Sequence, residues 1–211
     1  FRIGFFLLGS FLISTIISAF GLILFPLISE QYQIIFFFYA IVSYIGLEVL
    51  VNMKFFRHGL DDAFLLTSQI SFAIGIGILT EAVLPVLITM LVLGVFFAIR
   101  FINTISALMA FIGLVGIFFN LIVEHDVMPK FYLSFVGLIL AILVYFFVVH
   151  LSKNQNFYPF FKTLDTVRVA SLLLGYLSMN YLVVRELSHS LMNLEITNKS
   201  DVPLAFVFYG L

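Results

Sequence analysis

The chain has 211 residues, 63% of them hydrophobic and 10% charged, with a net charge of −1 and a mean hydropathy of +1.22. A soluble domain is about 45–50% apolar and about 25% charged, so a water-soluble fold would leave large apolar patches exposed; the near-neutral balance excludes a nucleic-acid footprint. With no cysteine, disulfides, thiolate catalysis and zinc-thiolate sites are excluded as well.

The apolar runs, in chain order, are 3–25, 34–51, 63–80, 82–99, 102–123, 131–151 and 169–184, with a last run at 204–211 that stops at the end of the chain. Each of the first seven is close to the ~20 residues that cross a hydrocarbon core of roughly 30 Å as a helix. Helices are predicted because the runs are continuous rather than alternating, and because a lone helix satisfies its own backbone in lipid. The prolines agree. Pro26 follows a run, Pro129 and Pro203 precede runs, and Pro85 falls in the first turn after Thr80 and Glu81, where a missing N–H is tolerated. The turns at Glu81 and at Arg100 to Asn103 are very short, so the third, fourth and fifth helices are expected as an up-down-up unit.

The fold class expected is therefore all-α: a polytopic transmembrane helical bundle of about seven full spans plus a truncated eighth. Residues 1–211 read as a single transmembrane domain. The chain begins at Phe1 without an initiator Met and ends inside an apolar run, so a longer protein is expected. Loop charge sets the orientation. With the N-terminus cytoplasmic, Arg2, Lys54, Arg57, Arg100, Lys153, Lys162 and Arg168 lie inside, and Lys130, Arg185 and Lys199 lie outside.

Glu48 is the ionisable residue set well inside a run, apart from His150 near a run end. An intramembrane carboxylate is expensive and points to function by default. Gln69 enters the next helix at what run lengths suggest is a similar depth, so a hairpin of the second and third helices is expected to pair Glu48 with Gln69. Two readings follow. In one, the pair is a structural clasp, with Glu48 reaching toward Lys54 and Arg57; in the other, it binds a proton, cation or polar solute near the inner face. The clasp is preferred. Asp61 and Asp62 suit the cap of the third helix, where carboxylates accept orphan N–H groups and meet the positive dipole end.

Glu124-His125 and the Glu186-x-x-His189 spacing are weak metal-ligand candidates. One Glu-x-x-His motif without a matching partner helix reads more simply as a solvated acidic rim. Ser10, Ser14, Ser18 and Gly21, and likewise Ala107, Ala110, Gly113 and Gly116, form small-residue stripes that permit close helix approach. Asn103, Asn120 and Asn180 are expected to bridge helices. No metalloprotease, serine-hydrolase or phosphate-loop motif is present, and no cofactor is implied.

Arg2-Ile3-Gly4 leading into the first span, and Arg57-His58-Gly59-Leu60-Asp61-Asp62-Ala63 entering the third, resemble a group of bacterial multi-pass membrane proteins of unknown function. The resemblance implies a bacterial cytoplasmic membrane and carries no activity or catalytic residue with it. The function expected is a non-enzymatic membrane role, structural, sensory or in assembly. Its partners would be the lipid bilayer and other membrane subunits, with no nucleic acid. The alternative is a small-solute or ion transporter using Glu48 and Gln69.

Overall fold

The structure is a computed structural model, and it describes residues 2–24, 32–54, 59–124 and 132–192. The described chain is helical: α1 (Arg2–Leu24), α2 (Tyr32–Asn52), α3 (Leu60–Thr80), α4 (Val83–Phe101), α5 (Thr104–Glu124), α6 (Tyr132–Ser152), a 3-10 helix (Gln155–Phe160) and α7 (Phe161–Met192). Among the described residues, five stretches, Gln33–Asn52, Leu60–Thr80, Val83–Phe101, Thr104–Val123 and Leu133–Ser152, are long and apolar enough to cross a membrane. Burial points the same way. Phe11, Phe146 and Phe147 are each more than half exposed, whereas Ser106 and Ser171 are fully buried. That inversion of the soluble pattern fits helices whose outer flanks meet lipid. The chain is an all-α membrane protein. The expected eighth run, 204–211, lies outside the described residues.

Two compact units divide the chain: residues 1–120 with 159–164, and residues 121–158 with 165–211. In the first, α3 is central and packs against α1, α2 and α4. Its register on α2 is fixed by the Ser68 hydroxyl, which donates to the Ala40 carbonyl at 3.0 Å, and by the Phe64 ring lying over Gly46. Phe37 meets Phe72 edge-on at 5.2 Å further along the same seam. Leu47, Leu65, Phe97 and Phe101 form a core cluster where α2, α3 and α4 meet.

α4 and α5 approach backbone to backbone. A Cβ added at Gly94 would lie 2.6 Å from the Ala110 nitrogen, and one at Gly113 would lie 2.8 Å from the Leu91 nitrogen. The α5 stripe through Ala107, Ala110, Gly113 and Gly116 therefore serves packing, and its counterpart on α4 is Gly94. In the first-helix stripe, the side chains of Ser14 and Ser18 lie outside the described residues.

The second unit contains α6 and most of α7. Gly175 faces Ala141, and Leu140, Ala141 and Val148 are buried. Ser171 is fully buried and returns its hydroxyl to the Arg168 carbonyl at 2.7 Å. Asp165 and Arg168 form an ion pair one turn apart.

Two helices begin well before their apolar runs. α3 begins at Leu60 rather than residue 63, and α7 begins at Phe161 rather than residue 169. Both extensions are polar: Asp61 and Asp62 in one, Lys162, Asp165 and Arg168 in the other. A helix keeps its hydrogen bonds after it leaves hydrocarbon, while hydropathy reports only the segment that stays inside.

Candidate functional site

While Glu81 lies at the other end of α3, Glu48, Lys54, Asp61, Asp62, Arg100 and Lys162 lie where α2 and α4 end and where α3, α5 and α7 begin. Two constellations form there.

The first is built on Glu48. The Tyr44 hydroxyl, one turn earlier on α2, donates to Glu48 Oε1 at 2.9 Å. Arg100 Nη2, in the last turn of α4, donates to the same oxygen at 3.4 Å. Arg100 is favourably placed there, since a cation meets the negative end of the helix dipole. Its guanidinium also lies 5.9 Å from the Phe101 ring centroid. Beneath the ion pair, Tyr44 stacks on Phe97 with ring centroids 5.9 Å apart, and Phe97 contacts Phe101 at 5.8 Å. Glu48 is thus held by α4 over an aromatic floor.

Gln69 is not its partner, which corrects the expected pairing. Glu48 is four residues from the end of α2 at Asn52, about 6 Å by helical rise, and Gln69 is nine residues from the start of α3 at Leu60, about 14 Å. The earlier start of α3 carries Gln69 deeper than run lengths suggest. The Ser68–Ala40 bond accordingly sets Gln69 about two turns or more away from Glu48 along α2. Gln69 is 6% exposed, and neither amide atom has a hydrogen-bond partner. It borders an apolar groove of about 390 Å³ shared by α3, α4 and α5, together with Ile74, Gly77, Val86 and Met109.

The second constellation is the entry to α3. Gly59 occupies the N-cap position at φ 99°, a left-handed conformation that a Cβ would strain. Asp61 reaches back to accept the Gly59 N–H at 2.9 Å, so it satisfies an orphan donor from inside the first turn rather than from the cap itself. Asp62 accepts from Asn103 Nδ2 at 2.6 Å. Asn103 works in two directions: its Oδ1 also accepts the N–H groups of Ile105 (2.8 Å) and Ser106 (3.3 Å), capping α5. One amide thereby ties the start of α3 to the start of α5. The preceding residue, Ile102, turns the chain at φ 50°, an uncommon conformation for a β-branched residue.

These residues enclose a polar cavity of about 80 Å³, lined among others by Asp61, Asp62, Asn103, Thr104, Lys162 and Thr163. Both aspartates are 4% exposed, and Thr163 is 6% exposed. The Thr163 hydroxyl has no hydrogen-bond partner.

Of the metal candidates, His125 lies outside the described residues. Glu124, Glu186 and His189 lie on described helices, but their side chains do not. Among the described residues, no group of three or more His, Asp or Glu could hold a metal. Comparison with protein-family models, with curated proteins and with solved structures found no match to this chain.

The sequence pointed to Glu48, Gln69, Asp61 and Asp62. It did not single out Arg100 as the partner of Glu48, nor Lys162 and Thr163 as neighbours of the aspartates. Asn103 bridges two helices as its amide suggested, but its capping of α5 was not read, and the Asn120 amide oxygen is buried without a hydrogen-bond partner. Thr163 carries no such signal, since only tertiary folding brings it to α3.

Proposed function

We propose that this chain is a multi-pass integral membrane protein of a bacterial cytoplasmic membrane with a non-enzymatic, scaffold-like role. In this reading the N-terminus is cytoplasmic, and α1 and α7 cross the membrane alongside the five apolar helices. The observation that carries the reading is the engagement of Glu48 by Tyr44 and Arg100. The intramembrane carboxylate already has a hydroxyl and a cation in place, as a clasp between α2 and α4 requires. Lys54, Arg100 and Lys162 share the helix ends at which Glu48, Asp61 and Asp62 sit, while Glu81 lies at the other end of α3. That distribution supports the orientation drawn from loop charge. The partner in this reading is the bilayer, which the exposed leucine, isoleucine and phenylalanine flanks fit.

The test is electrical. Protein reconstituted into vesicles and placed under proton or potassium gradients is expected to give no sustained current. A current abolished by Glu48→Gln would overturn the scaffold reading. One observation favours transport as a second reading: the buried Gln69 amide lacks a partner, as a group kept for a passing solute would. That reading requires Gln69→Leu to abolish the same current.

A further inference from the structure

We propose that the cavity between the starts of α3 and α7 binds a monovalent alkali cation, for which sodium is the probe. The inference goes beyond the scaffold reading and does not depend on it. Its first support is the Thr163 hydroxyl: 6% exposed, lining the cavity, and without a hydrogen-bond partner. A buried hydroxyl at a polar, roomy site calls for an occupant that it can coordinate or bond. The second support is the donor set. The cavity is bordered by the carboxylates of Asp61 and Asp62 and by the hydroxyl-bearing Thr104. Phe101 and Ile102, at the C-terminal end of α4, also line it, and unpaired carbonyls at a helix end are further oxygen donors. Hard oxygen donors of this kind suit alkali and alkaline-earth ions.

Charge selects within that class. Asp61, Asp62 and Lys162 contribute −2 and +1 to the lining, a sum of −1, which one monovalent cation neutralises. An anion such as a phosphate would face two carboxylates. A divalent ion would leave an excess positive charge. Size agrees, since a cavity of about 80 Å³ exceeds the roughly 10–15 Å³ that one water-sized occupant needs on the same measure. The occupant would bridge α3 to α7, adding to the Asn103 tie between α3 and α5.

The experiment measures thermal unfolding of the purified full chain in detergent while sodium chloride replaces choline chloride at constant ionic strength. Binding is expected to raise Tm saturably by about 3 °C. Thr163→Val, which keeps the shape and removes the hydroxyl oxygen, is expected to weaken the apparent sodium affinity at least fivefold while leaving Tm in choline within about 2 °C of the parent. Thr163→Ser, which restores the oxygen, is expected to retain the response. A Tm that follows ionic strength alone would overturn the proposal, leaving water as the occupant. So would a sodium response left unchanged by Thr163→Val, which would place the ion elsewhere.

Discussion

Gln69 is the residue whose chemistry its surroundings satisfy least. Its amide is buried with both polar atoms unpartnered, and an unmade buried hydrogen bond costs about 1–3 kcal/mol. Gln69→Leu is therefore expected to stabilise the protein by about 1 kcal/mol, seen as a rise in Tm. A fall would show that the amide has a role in folding. Glu48 should behave differently. Arg100 lies in the last turn of α4 with its side chain 58% exposed, and an ion pair that water reaches at the membrane face is worth at most about 1 kcal/mol. Glu48→Gln keeps an acceptor for Tyr44, so it is expected to cost less than about 1 kcal/mol. A double-mutant cycle with Arg100→Gln should then return a coupling of a few tenths of a kcal/mol. Ile102 stores strain in its left-handed turn, a conformation disfavoured by roughly 1–2 kcal/mol for residues with a Cβ. Ile102→Gly is expected to leave stability unchanged or slightly higher, where the same substitution inside a helix would lower it.

At the scale of elements, the α4–α5 pair depends on the absence of side chains at two positions. A Cβ at Gly94 would meet the backbone of Ala110, which cannot swing away as a side chain can. Gly94→Ala is expected to destabilise by about 1–3 kcal/mol, and Gly94→Leu by more, read as lowered Tm and lowered yield of folded protein. Gly4, with nothing within 4 Å of an added Cβ, is the control and should tolerate alanine. The same pair shows how the sequence is read well and where reading fails. The α5 stripe is visible as four small residues at helical spacing, but on α4 the matching signal is only Gly94 with Ala98 four residues on. Helix existence follows from run length. Helix starts do not, because Asp61, Asp62, Lys162 and Asp165 lower the hydropathy of turns that remain helical. The misjudged depth of Gln69 follows from that one error, since a helix begun three residues earlier moves every later side chain by about 4.5 Å and most of a turn.

For the whole molecule, the absence of cysteine makes topology directly measurable, since any introduced thiol is unique. With the N-terminus cytoplasmic, a cysteine at Asn154 is expected to resist a membrane-impermeant maleimide added outside intact cells, and one at Ala82 to react. The reverse pattern would invert the orientation. Bundle architecture was legible from composition, because 63% apolar content leaves no aqueous fold. The polar cavity was not, because its walls come from residues about 100 positions apart, Asp61 and Asp62 on one side and Lys162 and Thr163 on the other, and only packing brings them to one place.

The two-residue turn Ile102–Asn103 has a consequence for biogenesis. α4 ends at Phe101 and α5 begins at Thr104, which leaves no slack for one helix to enter the bilayer and wait for the other. Gly94 and Gly113 let their backbones touch along the way. The pair is expected to leave the insertion machinery as a single closed hairpin, with its polar hinge left at one membrane face. Lengthening the turn with a flexible insert would uncouple the two insertion events, and stalled chains carrying such an insert should expose a half-inserted α4 to protease.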